Sequence, residues 1–140
     1  MLFLLLIAAV FHLAAQQTTT DQKPIEEVKA KAEAGDANSQ LELGLRYHNG
    51  EGVAKDQVEA VKWYRKAAEQ NLAIAQFSLG VCYDKGEGVA KDYVEAYKWR
   101  LLAARQGDKN ATKTLTMLEN KMTPEQVAKG QKLAGDFKPR

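Results

Sequence analysis

Apolar and polar positions in this chain follow a 3.6-residue period, and the pattern returns. In Leu41–His48, "LELGLRYH", Leu41, Gly44, Leu45 and His48 fall at helical spacing, with Leu43 and Tyr47 on the flank. Further on, Val58, Ala60, Val61, Trp63, Tyr64 and Ala67 make a wide apolar face. No segment alternates with period two over the length of a strand. The spacing predicts helices over roughly 37–49 and 57–70, then 73–85 and 93–106.

The second pair repeats the first. Laid on Ala68–Ala103, Ala32–Ala67 is identical at 20 of 36 positions. The shared frame includes Leu43/Leu79, Gly44/Gly80, Tyr47/Tyr83, Trp63/Trp99 and the heptapeptide "GEGVAKD" at Gly50–Asp56 and Gly86–Asp92. A degraded third copy starts at Ala104, with Gly107, Asn110 and Leu115 in frame, and then Thr116 stands where the glycine was. Each unit therefore reads as two antiparallel helices, and the whole as an all-α stack of helix pairs.

The heptapeptide fits a turn. Gly50 and Gly86 suit the left-handed residue that ends a helix, as do Gly35, Asn71 and Gly107 between units. Gly52 and Gly88 permit tight reversal, and Val53 and Val89 are expected between the helices. Asp56 and Asp92 are N-caps, with Glu59 and Glu95 three residues on, near a capping box. A dinucleotide loop needs a third glycine where Lys55 stands and a preceding strand; a Walker loop needs Gly-Lys-Ser/Thr; a calcium loop needs several spaced carboxylates. None is present. Gly44 and Gly80 each sit inside a helix at about 1 kcal/mol against Ala, which predicts a close helix crossing at that frame position. Tyr47, Tyr83, Trp63 and Trp99 are read as large core residues, not as cofactor stackers.

Stacked units need covered ends. Residues 24–36 read as an N-terminal capping helix opened by Pro24, and 109–140 as a degenerate repeat plus a C-terminal capping helix. There, Thr123–Gln126 "TPEQ" forms a capping box with proline at the first helical position, and the helix runs to about Leu133. Phe137 is expected to fold back on the last unit.

The frame LG-x-x-Y, G-x-G-V-x-x-D, A-x-x-W-x-x-x-A-A, met at every point by Leu41–Asn71 and Phe77–Gly107, resembles the Sel1-like repeat, a relative of the tetratricopeptide family. That resemblance covers about half of the chain, as repeats 37–72 and 73–108. It implies an α/α superhelical solenoid of Sel1-like helix pairs whose usual work is holding other proteins, as scaffolds or adaptors. A cysteine-rich branch of the family has been assigned penicillin binding and β-lactamase activity. It carries thiols where this chain has Ala68 and Gln76, or Ala104 and Thr112, and Cys82 is at neither place. That departure removes the specific reason to carry the activity over, and an amide hydrolase of the cell-wall or β-lactam type, as assigned to that branch, stands as the alternative function. The chain also lacks Ser-x-x-Lys, the motif of the usual active serine.

Composition changes the picture in three places. The net charge is +2, with no Arg/Lys cluster interleaved with aromatics, which argues against nucleic acid. The lysine-rich last thirty residues read as a solvated face. One cysteine, Cys82, allows no internal disulfide; with His48 a repeat away, it reads as an inert thiol. Leu2–Ala15, "LFLLLIAAVFHLAA", is too short for the roughly 20 residues of a membrane span and suits a secretory signal peptide over 1–15, followed by a polar tether over 16–23. Export to the periplasm or medium is the expectation, with an uncleaved N-terminal anchor as the alternative.

No catalytic residue, metal ligand or cofactor is assigned. The partner expected is a protein. Positions that differ between near-identical units point to its contact surface: Glu42, Arg46 and Asn49 in the first helix of one unit, and Ser78, Cys82 and Lys85 in the other. These six are expected to form a stripe off the apolar face, which leaves Cys82 partly exposed.

Overall fold

Aspartates start four of the helices and left-handed glycines stop two of them. The structure, a computed structural model, describes residues 23–140. Among these residues there are seven α-helices and no strand: α1 (Ile25–Glu33), α2 (Ala37–Asn49), α3 (Gln57–Glu69), α4 (Ala73–Lys85), α5 (Tyr93–Arg105), α6 (Lys109–Glu119) and α7 (Pro124–Gly135). The four repeat helices match the expected spans to within one residue. The signal segment expected over 1–15, and all of the tether except Lys23, lie outside the described residues.

Asp36, Asp56, Asp92 and Asp108 each accept a backbone N–H from the first turn of the helix they open. Gly50 and Gly86 close α2 and α4 at φ 76° and 70°. Only half of the expected capping box forms at the aspartates. The N–H of Asp56 donates to the Tyr47 carbonyl, and that of Asp92 to the Tyr83 carbonyl, so no donor is left for the glutamates. Glu59 turns to Lys62 instead, and Glu95 accepts from the Trp99 indole at 3.1 Å. The reciprocal box does form at Thr123 and Gln126, with Pro124 at the start of α7.

Helices α2 and α3 form one antiparallel hairpin and α4 and α5 the next, stacked through α3 against α4. The glycine crossings are real. A Cβ on Gly44 would stand 2.6 Å from the Tyr64 ring, and one on Gly80 would stand 2.9 Å from Arg100 Cγ and 3.1 Å from the Ala96 carbonyl. The apolar face of α2 is rotated from the expected one. It runs through Gln40, Leu43, Gly44 and Tyr47, which face inward, while Leu45 is 40% exposed. Val58, placed on the α3 face by its pattern, is also exposed.

Two glutamines sit where an apolar residue would be expected. Gln76 is wholly buried; its Nε2 donates to the Ala68 carbonyl and to Asn71 Oδ1, while its Oε1 accepts from Gln106. One repeat earlier, Gln40 donates to the Ala32 carbonyl and accepts from Gln70. The carbonyl bonds tie the first helix of a unit to the end of the preceding helix, and Gln70 and Gln106 tie it to the end of the second helix of its own unit, so each buried glutamine amide is satisfied.

The end caps close the stack. Val28 and Ala32 of α1 bury against Leu43. At the other end α6 and α7 both pack on α5, and Gly130 lets α7 approach the Tyr97 ring, where a Cβ would stand at 2.7 Å. Phe137 does fold back, edge-on to Trp99 with centroids 5.6 Å apart. Trp99 and Tyr83 are buried as expected; Tyr47 and Trp63 are half-buried, packed on the clusters near α1.

Candidate functional site

The six variable positions do not form one stripe. With the core face of α2 set by Gln40, Leu43, Gly44 and Tyr47, position 46 falls three residues past Leu43 and turns inward. Arg46 is 6% exposed, and its guanidinium donates to Glu42 at 2.7 Å. Its counterpart Cys82 is 2% exposed, which corrects the expected exposure. Burial pushes the Cys82 thiol up to about 11, with the Glu87 charge adding to it and Lys85 opposing. Asn49 is exposed and donates to Glu51; Ser78 is half-buried and donates to the Ile74 carbonyl; Lys85 is exposed.

Three of the six do come together. Ser78, Cys82 and Lys85 line a groove of about 200 Å³ between α2 and α4, with Cys82 and Tyr64 beside one another. Its other walls are mainly apolar, contributed by Leu45, Phe77 and Val81, with His48 beside them. Glu42, Arg46 and Asn49 lie outside it. Periodicity alone puts Leu45 on the core face of α2 and so does not mark it as a wall of this groove. Once the face is fixed through Leu43 and Gly44, an apolar residue at position 45 is the signal of a second, outward surface.

Also on α4, Asp84 accepts from Arg100 at 2.7 Å and from Lys121 at 3.2 Å. Burial works to raise the Asp84 carboxyl, and the bonds from Lys121 and Arg100 overcome it and hold the group below its ordinary range. Arg100 is 5% exposed, and its Nε has no hydrogen-bond partner. A second cleft of about 410 Å³, lined by both signs of charge, lies between Glu69, Lys98, Trp99 and the 136–140 stretch.

The glycine loops are packed against protein. A Cβ on Gly88 would stand 2.1 Å from the Gln57 carbonyl oxygen, so the second heptapeptide lies directly on the start of α3. Gly50 and Gly86 each lie against the backbone of the lysine five residues on. Among the described residues no three His, Cys, Asp or Glu side chains converge as a metal site would need, and no helix is long and apolar enough to cross a membrane.

A family model described as the Sel1 repeat matches residues 37–72 and 73–108. The chain belongs to the Sel1 repeat family. It is 49% identical over 43 residues to the secretory immunoglobulin A-binding protein EsiB of Escherichia coli O6:H1, a stretch of 31% of this chain and 9% of that protein. It is 41% identical over 46 residues to the putative Sel1-like repeat-containing protein L18 of Acanthamoeba polyphaga mimivirus, which covers 33% of this chain and 8% of that one. Among solved structures, c5321, a protective antigen of uropathogenic Escherichia coli with an SLR fold, superposes with a TM-score of 0.79 at 32% identity, over 90% of this chain and 28% of that one. A Sel1 repeat protein from Oxalobacter formigenes gives 0.65 at 42% identity, over 66% and 69%. This chain therefore corresponds to a small part of EsiB, L18 and c5321. The fold is an all-α solenoid of Sel1-like pairs.

Proposed function

We propose that this protein is an exported scaffold that holds a protein partner along the face built by α2, α4 and α6 and performs no catalysis of its own. The observation that carries this is the apolar groove between α2 and α4. It lies between the first helices of consecutive units, the surface on which solenoids present binding residues, and its apolar wall is not consumed by the core. Sel1 repeat proteins commonly serve as interaction scaffolds, and a relative named for binding secretory immunoglobulin A supports protein as the ligand class. Export rests on the apolar Leu2–Ala15 stretch and its length. Ser78, Cys82 and Lys85 contribute to the contact, Cys82 as floor rather than as a reactive group. Glu42, Arg46 and Asn49 border the face.

Affinity capture from the native cell envelope, read by mass spectrometry, tests the scaffold role. A partner retained by the wild-type chain and lost on Leu45→Glu is the expected result; retention by both removes the groove from the account. N-terminal sequencing of secreted protein tests cleavage, and a retained Met1 contradicts it. Turnover of a chromogenic β-lactam, with zinc added as a control, would overturn the absence of catalysis.

A further inference from the structure

Residues 136–140 behave as a bound segment of their own protein. The stretch leaves α7, sets Phe137 edge-on to Trp99 with centroids 5.6 Å apart, and reaches α3, where the Arg140 N–H donates to the Glu69 carbonyl at 2.9 Å. Glu69 is the last residue of α3, so this carbonyl is an orphan acceptor of a helix end. The walls that receive the segment are Glu69, Lys98 and Trp99.

All three walls recur, unchanged, one unit earlier. Glu33, Lys62 and Trp63 hold the same frame positions, and Glu33 ends α1 as Glu69 ends α3. Each is more exposed than its counterpart. Trp63 is half-buried where Trp99 is 2% exposed; the Lys62 side chain is 61% exposed against 18% for Lys98; Glu33 is exposed where Glu69 is half-buried. The Glu33 carbonyl accepts no backbone N–H among the described residues. A lysine lies over each indole, Lys66 over Trp63 at 4.3 Å and Lys98 over Trp99 at 4.4 Å. Phe137 shares Trp99 with its lysine, so a lysine over Trp63 does not bar the same edge-on contact. The wall lysines are neutralised, Lys62 by Glu59 and Lys98 by Glu95. Glu69 and Glu33 make no ion pair among the described residues, and Glu69 shares its cleft with Lys138 and Arg140.

We propose that Glu33, Lys62 and Trp63 form a docking site between α1 and α3 for an extended segment of another protein with the chemistry of this chain's own residues 137–140. That chemistry is an aromatic side chain, basic residues after it, and a free backbone N–H three positions on. The aromatic ring stands edge-on to Trp63, the N–H meets the Glu33 carbonyl, and the basic residues face the Glu33 carboxylate. A second copy of this chain is the poorer occupant, because its segment must first leave its own cleft, where tethering keeps it at high effective concentration. The site is separate from the α2–α4–α6 face and stands or falls independently of it.

Tryptophan emission tests this, because the chain has two tryptophans and Trp99 is already covered. The full chain is titrated with a capped peptide of the sequence 136–140, which has no tryptophan. A saturable blue shift and protection from acrylamide quenching are expected. Binding should weaken about tenfold when alanine replaces the peptide's phenylalanine. It should also weaken with Glu33→Lys and with added salt. Glu33 is exposed, and an unchanged melting curve confirms that the variant is folded. No response at millimolar peptide, an equal response to the alanine peptide, or indifference to Glu33→Lys overturns the proposal. So does a response that persists in Trp63→Phe, which puts the peptide at Trp99. Concentration-dependent self-association that is lost with Phe137→Ala makes a second copy the occupant and overturns it as well.

Discussion

Gly44 lies under the ring of Tyr64, so close that a methyl group on its α-carbon would stand 2.6 Å from Tyr64 Cδ1. The glycine is there because the α2–α3 crossing leaves no room, and one unit later Gly80 stands in the same relation to Arg100 and the Ala96 carbonyl. The helix-propensity gain from Gly→Ala, about 1 kcal/mol, is smaller than the strain of an overpacked contact, about 1–3 kcal/mol.

Gly80→Leu should lower the melting temperature by roughly 10 °C, since about 3 kcal/mol of overpacking shifts a domain of this size by several degrees per kcal/mol. Gly35→Ala, where a Cβ meets open space but φ is 99°, reports backbone strain alone and serves as the comparison. A Gly80→Leu melt matching wild type contradicts the close crossing.

Gln76→Ala removes both the donor to the Ala68 carbonyl and the acceptor for Gln106. The Ala68 carbonyl keeps the Asn71 N–H, so the loss is that of the side chain's own hydrogen bonds at a wholly buried position, about 1 kcal/mol each, and the urea midpoint should fall accordingly. Gln106→Ala alone should cost less, because Gln106 is exposed, and the double variant should cost less than the sum. Strict additivity would show that the two side chains act independently.

Asp84→Asn strands the buried Arg100 charge and should destabilise the fold by about 3–5 kcal/mol at neutral pH. The sign with pH follows from the lowered Asp84 carboxyl. The folded state holds the ionised form more strongly than the unfolded chain does, so the contribution is full above the ordinary carboxylate value and is lost as pH falls through the folded one. Wild type and variant should therefore converge in urea midpoint as the medium becomes acidic. A gap that stays constant with pH would assign the loss to packing rather than to charge.

Cys82 should react slowly with a disulfide reagent at pH 8, because it is buried and its thiol is pushed up to about 11. The same shift makes alkaline conditions destabilising. Between the ordinary value of 9.0 and about 11 the unfolded chain loses the thiol proton while the folded chain keeps it, so stability is full below 9 and declines as pH rises. Tyr64, also raised by burial, adds to the decline above pH 10. Cys82→Ala should flatten the first part of that slope. Labelling as fast as that of a model thiol would contradict the burial.

Helix ends were legible in the sequence because short-range chemistry dictates them: an aspartate that accepts first-turn donors, and a glycine that reaches positive φ. The repeat frame made the stack legible as well. The rotational setting of α2 was not, because Leu43, Gly44 and Leu45 are consecutive and period alone accepts either flank. Only the Tyr64 ring over Gly44 decides it. The same ambiguity hid Arg46 and Cys82, since a charged residue in frame with a thiol reads as surface. Arg46 turns inward because its guanidinium finds Glu42 at the edge. Gln40 and Gln76 were missed for a similar reason, their burial depending on carbonyls of a neighbouring helix.

The most direct test of the account is amide hydrogen exchange of the full chain with and without its captured partner. Exchange slowed at the exposed ends and loops of α2, α4 and α6, with α3 and α5 unchanged, is the predicted result. Protection confined to α3 and α5, or to the 136–140 stretch, would place the partner elsewhere and contradict the first-helix face as the working surface.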